Sequence, residues 1–464
     1  MQKKLFISLI LLIILVSPLA LADGGLWIRD IDRWNLYDQQ LQLASIDYKD
    51  GYQNMLIQIN IDDEVHGDTA VWIFPVPAPP EKVAIDVTKG YPIFEGRNIK
   101  ERLTSTVSGM SFLYAFYSTF PFSLVLIPLF TTMGSSGTYA SSRFNEEYNM
   151  LFHTMDGGVT VHEVIEKMGI TTELITTIDA TSLSNYLTSK GLDLPESSKE
   201  IMNEYIGKDY SFVVSYINDI DKFKRWSTNT AAPSYYGYND SGRLWRGNIM
   251  SVSLRFPTDK VFYPLRLTSV YGSKSIPMEI NVAGHVSPEL YPEIKTGSEI
   301  TYNENTSSSS YYEGYKTFTK IKLNAPSKYF VKDLWISGMT PINVGWADFL
   351  INFPWLWGII LYALLSCISS LAAGLFAFKE DFQKIGRNKL FFFGLFNFLT
   401  IVAFSVATWQ LKTKTLDPKI KADLKKKGVE VSVKDNRKFV FVGLFIVIFL
   451  CLTFFSMALL GALL

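Results

Sequence analysis

Four stretches of the chain carry no charge for more than twenty residues, and the apolar positions between them fall into shorter strand-like and helix-like patterns. Phe353 to Phe378, Leu390 to Leu411 and Phe439 to Leu464 are each long enough to cross a hydrocarbon core of about 30 Å as a helix. The pattern therefore predicts transmembrane helices over 353–378, 390–411 and 439–464. Trp346, Trp355 and Trp357 stand where the first would enter the bilayer, as interfacial aromatics do. Ser366, Ser370 and Gly374 put small residues at every fourth position, a helix face that a neighbour can approach closely. No ionisable side chain lies within the three spans, and intramembrane charges would have marked an ion route. The fourth run, Met110 to Met133, is interrupted by Pro121 and Pro128. It reads as two short helices meeting at Pro121, or as an apolar insertion (104–142) lying on the membrane.

The rest of the chain is patterned for a water-exposed domain. Asn54 to Ile61 alternates in its second half, and Ala70 to Phe74 follows the acidic turn "DDEVHGD". In "VWIFPVPAPP", Pro75, Pro77, Pro79 and Pro80 cannot donate ladder hydrogen bonds, so the strand must stop at Phe74 or run along an edge before an extended, polyproline-like exit. Val159 to Ile165 and Thr171 to Ile178 read as strands, Ser182 as the cap of a helix through Lys190, and Pro195 as the first turn of a helix through Tyr205. Tyr210 to Ile217, Asn248 to Phe256, Phe262 to Tyr271 and Ile276 to Val282 read as further strands, and polar Thr301 to Tyr315 as a mobile loop. The fold class expected is α+β, a largely antiparallel mixed sheet with short helices over 23–345, followed by a C-terminal transmembrane α-helical region.

Charge and composition place this domain outside the cytoplasm without giving it chemistry. Lys3 and Lys4, the apolar stretch Leu5 to Val16 and Ala20-Leu21-Ala22 make 1–22 read as a signal peptide, with an uncleaved signal anchor as the alternative. The 44 basic residues balance 44 acidic ones, so nothing points to nucleic acid. Cys367 and Cys451 lie inside apolar runs, which excludes a disulfide framework in the outer region.

No residue emerges as catalytic, cofactor-binding or metal-ligating. "VHEVIE" has His162 and Glu163 but Glu166 where a zinc protease needs a second histidine, and its β-branched context favours a strand. His66, His153 and His285 have no partners at metal-like spacing. Asp62, Asp63, Glu64 and Asp68 supply oxygens of the kind calcium takes, without the alternation of a calcium loop. Asn239-Asp240-Ser241 and Asn305-Thr306-Ser307 fit the glycosylation tripeptide. The aromatic loop Trp226 to Gly247 offers ring faces to a glycan or protein, although packing on its own domain explains it more simply.

The order of elements carries a resemblance. "WIFPVPAPP", then "TIDATSLSNYLTSKGLDLP" with "YIGKDYSFVVSYI", then "LRFPTDKVFYPLRLTSV" with "MEINVAG", resembles the extracytoplasmic family called domain of unknown function 2330, over roughly Leu26 to Ser287. The resemblance implies fold continuity and an outward-facing location, with no activity or catalytic residue attached. Members often carry cysteines near the mature N-terminus, where this chain has none.

An outer domain leaves a conflict. Three plain spans put "KEDFQKIGRNK" inside and the basic loop 412–438, with ten lysines and arginines, outside, against the positive-inside rule. A single crossing by 110–133 would split one sheet between compartments. A re-entrant 390–411 needs a helix break that the sequence does not obviously supply, so the side of the basic loop stays open. The function expected is that of a multi-pass cell-membrane protein with its large N-terminal domain displayed outside the cytoplasmic membrane. That domain is read as a binding or scaffolding module, with the lipid bilayer and a membrane-protein or envelope-glycan partner. The alternatives are a membrane-bound hydrolase or transferase acting on envelope material and a transporter accessory subunit.

Overall fold

The structure, a computed structural model, describes residues 25–30, 33–36, 42–59, 70–92, 94–119, 154–190, 196–227, 236–238, 244–305, 316–411, 423, 426–427 and 436–462. The chain divides into two compact units: an α+β unit from the N-terminal strands and residues up to Pro341, and a helical unit that combines the helix Ile99–Thr119 with the chain from Ile342 onwards. The signal peptide, the Asp62–Asp68 turn and the prolines of the apolar insertion lie outside the described residues.

Two large sheets build the α+β unit. A seven-stranded sheet runs Arg33–Leu36, Gly25–Asp30, Ala70–Val76, Ser211–Ile217, Ile170–Thr177, Val159–Lys167, Thr154–Asp156. A nine-stranded sheet runs Tyr236–Tyr238, Leu244–Pro257, Tyr52–Ile59, Gln42–Lys49, Ser275–Ala283, Thr317–Pro326, Ser298–Asn305, Gly96–Asn98, with Ala84–Pro92 also paired to Leu244–Pro257. Among the described strands the pairing is antiparallel except between Gln42–Lys49 and Ser275–Ala283.

The apolar "AVWIFPV" is explained by burial on both sides. Trp72, Phe74 and Val76 point into the main core with Ile57, Val252, Leu254 and Ile280 of the nine-stranded sheet. Val71 and Ile73 point the other way, against Leu183, Leu187 and Met202 of the helices Ala180–Ser189 and Glu196–Asn203. Period-2 alternation therefore disappears because each face meets a different apolar layer. Each of these side chains contributes roughly 1.5–3 kcal/mol by leaving water. The strand runs past Phe74 to Val76, pairing Pro75 with Phe212 and Val76 with Ser211. Pairing to Gly25–Asp30 on its other side reaches only to Ile73, so Pro75 needs no donor there. A short 3₁₀ turn, Pro80–Lys82, follows the extended Pro79, which cuts the expected polyproline course short.

Several local expectations are corrected. Asp179, not Ser182, caps the helix Ala180–Ser189, its carboxylate accepting from the Ser182 N–H at 2.6 Å. Phe262 to Tyr271 is not one strand: Val261–Tyr263 pairs with Leu334–Ser337, then Pro264 ends the ladder and Arg266–Tyr271 turns as a 3₁₀ helix. Thr301 to Asn305, expected to open a loop, completes the strand Ser298–Asn305.

In the helical unit, Pro354–Phe378 and Arg437–Gly461 are helices long and apolar enough to cross a membrane. The expected span 390–411 is not a single helix. It consists of Arg387–Phe393, Leu395–Leu399 and Ile401–Trp409. Thr400 breaks it with extended backbone (φ −166°, ψ 161°), its hydroxyl accepting from the Ala403 N–H at 2.9 Å as an N-cap. The small-residue face of Pro354–Phe378 packs as expected: Ser370 donates to the Leu390 carbonyl at 2.6 Å, Leu390 lies over Gly374, and Gly394 abuts the Ser366 backbone. Of the three tryptophans, Trp346 and Trp355 are exposed, whereas Trp357 is buried and donates to the Leu350 carbonyl at 2.9 Å.

Candidate functional site

The histidines and acids singled out in the sequence do not converge. His162 sits on the strand Val159–Lys167, its Nε2 2.7 Å from the Thr176 hydroxyl, in the extended backbone expected. His285 is buried, with Nε2 3.2 Å from the Asn303 carbonyl. His66 and His153 lie outside the described residues. Among the described residues no group of three or more His, Cys, Asp or Glu side chains is placed to hold a metal ion. Asn305 of the second glycosylation tripeptide ends a strand, its N–H donating to the Lys316 carbonyl at 2.8 Å, while the first tripeptide and most of the 226–247 loop lie outside the described residues.

Two acids in the α+β unit are held in polar networks. Glu173, 3% exposed, accepts from Tyr186 at 2.6 Å, Tyr216 at 3.0 Å and Lys190 at 3.2 Å. Three donors on one buried carboxylate make a satisfied structural anchor between the sheet and the helix Ala180–Ser189. Asp333 accepts from the Arg266 N–H at 2.9 Å and the Tyr205 hydroxyl at 3.1 Å. Burial pushes its carboxyl up to about 6, against the pull of those two bonds. Neither acid lines a described cleft.

The cleft with binding character opens beside the proline-rich strand end. It is lined by Tyr48, Gly51, Pro77, Pro257, Thr258, Asp259 and Trp335, with a volume of about 440 Å³, in the range of small-molecule sites. Its walls follow from local chemistry. Asp50 and Gly51, both at positive φ (54° and 79°), make the two-residue hairpin between Gln42–Lys49 and Tyr52–Ile59. An Asp-Gly pair suits such a turn because both central residues need left-handed backbone. The turn presents the Tyr48 ring, whose hydroxyl is tied to the Thr258 and Asp259 carbonyls at 3.0 Å each. Opposite elements supply Trp335, set by ring packing on Phe262 at 4.9 Å between centroids. Phe262 is itself fixed by Gln53, a fully buried amide that donates to the Phe262 carbonyl and accepts from its N–H, both at 2.7 Å. Two aromatic residues, two prolines and an aspartate thus line one space, with the aromatic positions locked from behind.

A second cleft of about 420 Å³ is lined by Tyr52, Glu81, Lys82, Val83, Ala84 and Arg255. Arg255 lies over the Tyr52 ring at 5.3 Å, so its most prominent cation and aromatic face already engage each other.

Sequence reasoning found Pro77 as the strand exit but missed the rest of the first cleft. The usable signal was "KDGY", a hairpin turn that fixes Tyr48 at the strand end. Trp335 and Asp259 gave no local signal, since they reach the cleft only through long-range pairing of Val261–Tyr263 with Leu334–Ser337.

The helical unit encloses a polar cluster of its own. Asn397, fully buried, donates to the Tyr362 hydroxyl at 2.7 Å and to Ser366 at 3.2 Å. Tyr362 stacks edge-on with Tyr114 and Tyr117 of the inserted helix, at 5.1 and 5.5 Å. Tyr117 donates to the Leu399 carbonyl at 3.4 Å and Tyr114 to that of Gly358. The Leu399 carbonyl beside the break at Thr400 thus finds a hydroxyl donor inside the bundle, as an apolar surround requires.

A scan against known protein families finds no match, and a search of curated proteins finds none either. Among solved structures the chain is similar to the crystal structure of baculovirus P35, at 11% identity over 64% of this chain and 90% of that one, with a TM-score of 0.22. A likeness at that level carries no argument about fold or function.

Proposed function

We propose that the chain is a membrane-held binding module whose α+β unit stands outside the cytoplasm and takes an envelope glycan in the cleft beside Pro77. The observation that carries this reading is that Tyr48, Trp335 and Asp259 line one cleft. A sugar ring has an apolar C–H face and a rim of hydroxyls, so it suits an aromatic platform beside an acceptor. The locked Tyr48 hydroxyl and the buried Gln53 behind Phe262 mean that little ordering entropy is lost when the site fills. Membrane attachment rests on the two long apolar helices. The multi-pass arrangement, the outward orientation, and the kinship with domain of unknown function 2330 belong to the proposal, supported by the leader-like N-terminus and the order of the three motif blocks.

The test is calorimetric titration of the detergent-solubilised full-length protein with a panel of envelope oligosaccharides, together with proline-rich peptides as the rival occupant. Trp335→Ala and Tyr48→Ala are each expected to weaken glycan binding by about tenfold or more, equivalent to roughly 1.4 kcal/mol. Asp259→Asn is expected to weaken it less. Binding of peptides alone, or glycan binding untouched by all three changes, would overturn the assignment.

A further inference from the structure

The break at Thr400 does more than shorten a helix: it turns the chain round. Three contacts in the helical unit gather residues far apart in sequence at one end of it. Arg437 pairs with Asp381 at 2.9 Å, just past the end of Pro354–Phe378. Lys438 donates to the Trp409 carbonyl at 2.8 Å. The Trp409 ring meets Phe439 edge-on at 4.8 Å. The exit of Pro354–Phe378, the exit of Ile401–Trp409 and the entry of Arg437–Gly461 therefore share one end.

The segment between them travels inward and back. Leu390 meets Ser370 and Gly374, Gly394 meets Ser366, and Asn397 reaches Tyr362 and Ser366, so 387–399 climbs antiparallel to Pro354–Phe378. Ser366 lies twelve residues from Phe378, roughly 18 Å along the helix. Past Thr400 the chain descends again, with Phe404 stacked on Phe445 at 4.1 Å and against Phe441 at 5.4 Å, and Phe441 in turn packs on Phe378 at 5.0 Å. Ile401–Trp409 has nine residues, about 14 Å of helix, under half of a hydrocarbon core.

We propose that 387–409 is a re-entrant helical hairpin, and that the exposed basic side chains at its base, Lys379, Lys384, Arg387 and Lys389, rest on anionic phospholipid headgroups. The 379–389 turn has four basic and two acidic residues, and 412–438 has ten basic and four acidic. The excess of positive charge is two in the turn and six in 412–438, in a chain whose formal net charge is +0. Lys379, Lys384, Arg387 and Lys389 are exposed, as are Lys426 and Lys427. Charge of one sign at the boundary of an apolar helical unit is complementary to a leaflet rich in phosphatidylglycerol or phosphatidylserine, and such clusters act through headgroup electrostatics.

Two measurements on the full chain test it, with Cys367 and Cys451 replaced by alanine. Single cysteines at Lys384→Cys and Lys426→Cys are treated with a membrane-impermeant maleimide in intact cells and again after the membranes are opened. The expected result is that both positions change together; labelling from opposite sides would overturn the hairpin. Separately, protein reconstituted in vesicles of equal phosphatidylcholine and phosphatidylglycerol is extracted in mild detergent and its retained lipid is weighed by mass spectrometry. Wild type is expected to retain phosphatidylglycerol at least about threefold over the variant with Lys379, Lys384, Arg387 and Lys389 all changed to glutamine, and the difference should shrink in high salt. These four side chains are exposed, so the variant is expected to keep the elution profile of the folded protein. Equal retention by both proteins would overturn the lipid assignment.

Discussion

Asp333 is a residue through which the α+β unit is expected to respond to mild acid. Its folded carboxyl keeps its proton up to about pH 6, whereas an unfolded aspartate releases it near pH 4. The folded state then binds more protons than the unfolded one between those values, so the stability contribution is full below about pH 4 and is lost as pH rises to about 6. Asp333→Asn removes the titration while retaining an acceptor for the Arg266 and Tyr205 donors. Thermal melts across pH 4 to 6 are expected to show the wild-type melting temperature falling relative to that of the asparagine variant; parallel curves would contradict the shift. Glu173 makes a different prediction, because its three donors lose their partner together. Glu173→Ala is expected to cost about 3–5 kcal/mol in chemical denaturation. Neither acid was legible as special in the sequence. "TTELITT" hides Glu173 in a strand pattern, and what distinguishes it is the helix Ala180–Ser189, which brings Tyr186 and Lys190 over it.

Strands and long helices were legible where one physical pattern dominates. Ser211–Ile217 and Pro354–Phe378 lie within a residue of their expected bounds, because a buried strand and an apolar span each leave a continuous signature. The broken segment was not, since a threonine N-cap inside an apolar run disturbs hydropathy very little. Its structural logic can be tested with glycine. Gly394 has helical backbone (φ −55°, ψ −28°), so alanine there should favour the helix by propensity alone. A Cβ would instead press on the Ser366 backbone, which has no flexible end to move aside. Gly394→Ala is therefore expected to lower the detergent melting temperature by several degrees. Gly443→Ala, in open space on Arg437–Gly461, is expected to leave it unchanged or raise it slightly. Thr400→Ala removes the cap and is expected to cost about 1 kcal/mol.

The expected division into an outer domain, an insertion and a membrane tail is redrawn by the helix Ile99–Thr119, which the contacts assign to the helical unit and not to the sheets around it in sequence. Hydropathy pointed to the insertion but bounded it at 104, with its apolar run from Met110, because Lys100, Glu101 and Arg102 charge the first turn of the helix and Thr104, Ser105, Thr106 and Ser108 make the next turns polar. The helical unit is accordingly a packed structure with its own buried polar cluster, and two of the three tyrosines in it come from the insertion. Removal of 104–142 is expected to destabilise the helical unit, read as loss of the monodisperse peak in detergent.

The inserted helix also sets an order of events. Ala70–Val76 is made before it, whereas its neighbour Ser211–Ile217 is made after it. During synthesis the central strand must wait for its partner until the inserted helix has been made, and that helix must wait for Pro354–Phe378, so the helical unit is begun before the α+β unit is complete and finished only after it. The same weave governs breakdown: one protease cut between Pro341 and Pro354 frees the C-terminal helices from the chain but leaves the α+β unit still moored by Ile99–Thr119. Release of the α+β unit would take more than one incision.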